Sequence, residues 1–153
     1  MTNSTEFAAG PLSLISDSHR LFASALYRRL KAEGIPLTRS QWRTLTHLKF
    51  QDGLSQSELA ERLWMEKAPL GTLLDKLEIA GLIERRSAPN DRRVRLVYVT
   101  AKAEPLLPLI EQQVNQLRDH ALQGLSADEQ AELGRLLSKV HGNILEIRQR
   151  DRD

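Results

Sequence analysis

A chain of 153 residues suits one ordinary domain, or a small module with an oligomerisation element, and is too short for a large two-domain enzyme. With 41% apolar and 27% charged residues it can bury a real core, which excludes wholesale disorder and fibres, and zero cysteines exclude disulfides, thiol nucleophiles, thiolate metal sites and thiol redox sensing. Its 22 basic and 20 acidic residues are unevenly spread: residues 39–102 hold 12 bases against 8 acids, a net +4, and the remainder holds 10 against 12, so the middle of the chain is the part fitted to a polyanion.

From Pro11 to about Lys31, apolar residues Ile15, Phe22, Leu26 and Leu30 recur at helical spacing, and Gly34 followed by Pro36 supplies a stop. Capping boxes of the form Ser/Thr-x-x-Glu/Gln then open three helices, at Thr38 with Gln41, Ser55 with Glu58, and Ser126 with Glu129. The first of these helices carries Trp42, Leu45 and Leu48 and ends at the Asp52-Gly53 turn; the second packs through Leu59, Ala60 and Leu63. After a tight break near Trp64 another helix follows, with Pro69 tolerable only in its first turn, Leu70, Leu73, Leu74 and Leu77 as its inner face, and Gly81 at its C-terminal cap.

Beyond Gly81 the period changes to alternation. LIERRS and VRLVYVT read as two strands, Val94, Leu96 and Tyr98 facing one way and Arg95, Val97 and Val99 the other, joined by the turn-forming SAPNDRR. The hairpin therefore has a basic end: Arg85, Arg86, Arg92, Arg93 and Arg95 are opposed only by Asp91. Thr100 is expected to cap the next helix, in which Pro105 and Pro108 predict a bend near the start and Leu107, Ile110, Val114, Leu117 and Ala121 form a stripe. A last helix repeats the pattern with Leu133, Leu137, Val140, Ile144 and Ile147. Both stripes need partners beyond what a small helical module can offer. A dimer interface through Ile15, Phe22, Ile110, Val114, Leu117, Val140, Ile144 and Ile147 is expected, with a monomeric helical bundle as the alternative.

The predicted fold class is mainly α with a small β-hairpin wing. Residues 1–34 and 101–153 form a helical dimerisation region, and residues 35–100 a winged helix–turn–helix whose second helix enters the major groove of double-stranded DNA while the hairpin reaches the backbone or minor groove. Ser55 with Gln56, and Lys67 with Ala68, stand at helix starts suited to phosphates. Lys67, Ala68, Pro69, Thr72 and Lys76 are the recognition-helix residues left outside once its leucines are buried. Arg92 and Arg93 are fitted to a narrow minor groove, with Asp91 pairing with Arg93 to hold it in place.

LTRSQW, SQSELAERL, LLDKLEIAGLIERR, the wing NDRRVRLVYVT and KAEPL, in that order, give the chain a resemblance to the MarR family of transcription regulators and above all to its SlyA branch. The resemblance implies a homodimer on a palindromic operator, with the first and the two last helices as dimerisation layer, acting as a repressor or counter-silencer. It also implies release from DNA by small phenolic or aromatic-carboxylate effectors that bind between the layers. Trp42 with Arg20 is the candidate effector site, the alternative being a core tryptophan and a surface arginine. One departure stands out: Thr72 occupies a position where the SlyA pattern usually has arginine.

His19, His47, His120 and His141 are scattered without i, i+4 pairing, so no metal site is expected, and no cofactor. No phosphate loop, nucleophile elbow or acid–base carboxylate pair is present, which argues against an enzyme. No apolar run approaches the ~18 residues of a membrane span, and MTNSTEFAAGPLS has neither the charged nor the apolar block of a signal peptide, so a cytoplasmic protein with no membrane partner is expected. The rival to DNA binding is a winged-helix protein-interaction module.

Overall fold

The computed structural model describes residues 10–151. In chain order the elements are α1 (Pro11–Ala32), α2 (Arg39–Phe50), β1 (Leu54–Ser55), α3 (Gln56–Leu63), α4 (Lys67–Ile79), β2 (Ile83–Ser87), β3 (Arg95–Val99), α5 (Leu106–Ala121) and α6 (Ala127–Arg150). The chain divides into two compact units at Leu117/Arg118.

All three predicted capping boxes form. Thr38, Ser55 and Ser126 each accept a bond from the backbone N–H three residues on, and Gln41, Glu58 and Glu129 each return one to the cap residue's N–H. Each pair satisfies two of the donors that a helix start would otherwise leave unbonded. The break between α3 and α4 is made by Trp64, a non-glycine residue in the left-handed region at φ 57°. Pro69 is the third residue of α4, where a missing N–H breaks no intrahelical bond.

In the first unit one core collects Leu26 and Leu30 of α1, Leu45 and Leu48 of α2, Leu59 of α3, Leu70, Leu74 and Leu77 of α4, Ile83 and Val97 of the sheet, and Ile110 of α5, all nearly sealed from solvent. Burial of a leucine contributes about 1.5–3 kcal/mol, so the inner stripe of α4 anchors the helix whose other face stays free. Ile110 corrects an expectation. At 1% exposure it belongs to the chain's own core, leaving almost no surface for a second copy.

Three features differ from the sequence reading. The wing is a three-stranded sheet of order β1-β3-β2, because Leu54 and Ser55 pair antiparallel with Val97 and Leu96 on the free edge of β3. Thr100 caps no helix: its hydroxyl donates to the Gly81 carbonyl at 2.6 Å, tying the end of β3 to the end of α4. The following helix begins only at Leu106, so Pro105 precedes it and Pro108 falls in its first turn, where neither interrupts the hydrogen-bond ladder.

The second unit is carried by α6. Its stripe holds Leu133, Leu137, Ile144 and Ile147 at 38–55% exposure, and none of its residues is buried. Val140 is half-buried.

Candidate nucleic-acid interface

The wing tip is shaped by Asp91. One of its carboxylate oxygens accepts from the Arg93 backbone N–H at 2.9 Å, a local turn bond, and both oxygens accept from the Arg93 guanidinium at 3.1 Å. These bonds hold the Asp91 carboxyl below its usual pKa, the side-chain bond to Arg93 counting most. Arg93 is itself 91% exposed, so the pair contributes little to stability and instead restricts the directions its guanidinium can take.

An open groove of about 490 Å³ joins this tip to the start of α3, lined by Ser55, Gln56, Ser57, Arg93, Val94 and Arg95. Ser55 and Gln56 therefore meet Arg93 in one place, as the sequence suggested, although their roles separate. The Ser55 hydroxyl and N–H are both bonded to Glu58, at 2.7 and 2.8 Å, so Ser55 shapes the helix start. The first two helical N–H groups, of Gln56 and Ser57, have no intrahelical acceptor and carry the positive end of the helix dipole. Ser57 and Val94 were not singled out as site residues in the sequence, and Arg95 only as one of the hairpin's cations, since only the β1–β3 pairing brings the start of α3 beside the wing.

On α4, Lys67, Ala68, Pro69, Thr72 and Lys76 are all exposed while Leu70, Leu73, Leu74 and Leu77 are buried. The helix start has no side-chain cap. The Thr72 hydroxyl turns back to the Ala68 carbonyl at 3.4 Å.

The five arginines of the hairpin divide into different roles. Arg85, with its side chain only 17% exposed, donates to Glu78 from Nε at 3.1 Å and Nη2 at 2.5 Å, and to Asp75 from Nη2 at 2.6 Å. Its backbone N–H donates to Glu78 as well, at 3.1 Å, so α4 and β2 are fastened together. Through these bonds the guanidinium holds the Glu78 carboxyl below its ordinary pKa, and the Arg85 pKa is raised in turn by Glu78. Arg86 pairs with Glu84 and lies 4.6 Å from the centre of the Tyr98 ring. Arg95 donates to Ser87 at 3.2 Å. Arg92 is exposed and its side chain makes no hydrogen bond or ion pair with the described residues. Of the cation cluster read from the sequence, only Arg92 and Arg95 have no carboxylate partner among the described residues, while Arg93 stays exposed on Asp91.

The remaining predicted residues lie elsewhere. Arg20 is 75% exposed and pairs with Asp17 in its own helix at 3.2 Å. Trp42 is half-buried and packs on the core. Of the residues expected at a dimer interface, Ile15, Ile144 and Ile147 are exposed, while Phe22, Val114 and Leu117 lean partly on the core. No group of three or more metal-ligating side chains occurs among the described residues, and no helix there is long and apolar enough to cross a membrane.

A helix–turn–helix with a three-stranded wing, an uncapped and exposed helix face and a cation-tipped loop defines a winged-helix nucleic-acid-binding module. A family model described as the MarR family matches residues 37–94. Among solved structures, the chain is similar to a mutant MarR from E. coli complexed with operator DNA, with TM-score 0.81 and 27% identity over 91% of this chain and 99% of that one. It is also similar to the transcriptional regulator SlyA, with TM-score 0.76 and 25% identity over 86% and 94%, and to the transcriptional regulator PA3341, with TM-score 0.74 and 32% identity over 88% and 97%. The chain belongs to the MarR family of transcriptional regulators, DNA-binding proteins rather than enzymes.

Proposed function

We propose that the protein is a cytoplasmic regulator that binds a palindromic operator as a homodimer, α4 reading bases in the major groove and the wing arginines holding the minor groove or backbone. The observation that carries this reading is the groove in which Arg93, oriented by Asp91, faces the free N–H groups at the start of α3, beside the separately exposed face of α4. A relative 27% identical is described as complexed with operator DNA, which supports the same use. Residues 1–34 and 101–153 would supply the dimer layer. The exposed Ile144 and Ile147 of α6 and Leu12, Leu14 and Ile15 of α1 are apolar surface that a second copy would cover.

Two-fold symmetry then sets the recognition helices about 34–36 Å apart, one turn of duplex. Thr72 and the small surfaces of Ala68 and Pro69 suit thymine methyl groups, so much of the specificity would come from DNA shape. A small phenolic or aromatic-carboxylate effector is the regulator's expected second partner, with Trp42 and Arg20 as its site. Fluorescence anisotropy on promoter fragments tests the main reading: binding should weaken linearly with log salt, and Arg93→Ala should reduce both the affinity and the slope. Equal affinity in that variant, or a monomer in sedimentation at micromolar concentration, would refute it.

A further inference from the structure

Arg39, Arg43 and His47 follow one another at intervals of four on α2 and so line one face of the helix. α3 packs on α2, and Arg62 from α3 acts electrostatically on His47. Helix α2 contains no acidic residue, and its other basic residue, Lys49, is neutralised by Glu111 at 2.8 Å. The side chains of Arg39, Arg43, His47 and Arg62 make no hydrogen bond or ion pair with the described residues. Arg62 does act on Glu58 one turn earlier, but that carboxylate is already bonded to Ser55.

Arg39 and Arg43 are not free in open water, whereas Arg62 is exposed. Arg39, Arg43 and His47 are half-buried, and burial first, then the charge of Arg43, holds both the Arg39 guanidinium and the His47 imidazole below their ordinary pKa. Arg62 adds to the effect on His47. Like charges crowded into a partly dry surface work against folding, and a bound anion would relieve that penalty. Planar guanidinium forks favour phosphate oxygens as the relieving group.

The position of the cluster fits a phosphate chain. Ser55 stands in the wing groove at the start of α3, and Arg62 lies two turns further on the same face, so about 10 Å of helix joins groove to cluster. That length spans about three phosphates of one strand at their 3.4 Å axial spacing. We propose that Arg39, Arg43, His47 and Arg62 form a second phosphate-binding surface that grips duplex backbone outside the half-site read by α4 and the wing. It rests on the operator-binding reading above. Free polyphosphate presents the same chemistry, and the test separates the two sources.

Phosphate contacts are independent of sequence, so the full chain can be tested on a generic duplex of about 36 base pairs. In the triple variant Arg39→Gln/Arg43→Gln/Arg62→Gln the log–log salt slope should fall by about two to three, at ~0.9 per lost contact, and low-salt affinity should drop at least tenfold. The corresponding triple lysine variant should keep most of the slope. Tm of the glutamine variant should stay level or rise, because repulsion has been removed, which shows that lost binding is not lost fold. An unchanged slope overturns the duplex assignment.

Pyrophosphate, titrated without DNA while the His47 imidazole resonances are followed, decides the source. Resonances that move in the parent and not in the glutamine variant, together with an unchanged duplex slope, would make free polyphosphate the occupant. No movement and no change of slope would overturn the surface altogether. If the unaltered chain binds no duplex, the operator reading fails instead, and pyrophosphate alone decides this one.

Discussion

Replacing Arg85 with Met keeps a side chain of comparable reach and removes the guanidinium that fastens α4 to β2. Three side-chain hydrogen bonds go, at 3.1 and 2.5 Å to Glu78 and 2.6 Å to Asp75, while the backbone bond from Arg85 to Glu78 has no reason to break. In a sealed interior each charged hydrogen bond would contribute about 1.5–3 kcal/mol. Here Glu78 and Asp75 are 39% and 60% exposed and regain water when Arg85 leaves, which cancels much of that sum. A net loss of about 1–2 kcal/mol remains, read as a lower urea midpoint at constant m value, or a Tm lowered by about 2–8 °C for a chain of this size.

The pH dependence has a definite sign. Arg85 lowers the Glu78 pKa in the folded state, so the stabilisation is fully present above the unfolded carboxyl pKa and is lost as pH falls through the lower, folded value. The penalty of Arg85→Met should therefore be largest near neutral pH and fade in acid. On DNA the variant should bind about three- to tenfold more weakly, because the angle between recognition helix and wing is no longer fixed, with the salt slope intact, because no phosphate contact is lost. A slope reduced by about one would mean that Arg85 touches phosphate directly, and a urea midpoint unchanged at neutral pH would mean that the fastening contributes nothing. Either result refutes the reasoning.

Three further outcomes follow from the geometry. Gly53→Ala should cost about 2 kcal/mol in chemical denaturation, since Gly53 sits at φ +73° and a Cβ there would come within 3.0–3.2 Å of the Tyr98 ring. Asp91→Ala should weaken DNA binding more than Asp91→Asn in anisotropy titrations, because asparagine can still accept the turn bond from the Arg93 N–H; if removing the acid by either route tightens binding equally, pre-organisation of Arg93 is unimportant. Ile144→Glu/Ile147→Glu should shift sedimentation from dimer to monomer while leaving the helical circular dichroism signal in place, since neither residue is buried within the chain, and a dimer that survives places the interface elsewhere.

What the sequence displayed was whatever is decided within a few residues. Each capping box spans four positions and forms as spelled, and Asp91 reaches Arg93 two residues on without help from the rest of the fold. The strand β1 lay hidden because two residues carry no period, and its partner Val97 lies over forty residues away. Thr100 looked like a cap because its type suits one, yet the next helix starts only at Leu106 and the Thr100 hydroxyl donates instead to the Gly81 carbonyl. The stripe containing Ile110 was legible as apolar, but a 3.6-residue period does not say whether the covering surface comes from the same chain or another.

The same distinction governs the charges, and there it bears on function. Arg85, Arg86, Arg92, Arg93 and Arg95 look alike in a count, but a cation contributes to salt-dependent DNA binding only if it releases counterions from phosphate. Arg85 is occupied by Glu78 and Asp75, and Arg86 by Glu84 and the Tyr98 ring, so both hold the wing in shape and leave the outward charge to its tip and Arg95. On α2 the counting errs in the opposite direction. Arg39, Arg43 and His47 are interleaved with apolar and polar residues and make no conspicuous run, yet the helix gathers them on one face and gives them no acid. If the second surface proposed on α2 and α3 grips backbone, the polyanion contact of this chain extends beyond the hairpin. The salt slope lost with Arg93 should then be only a fraction of the whole.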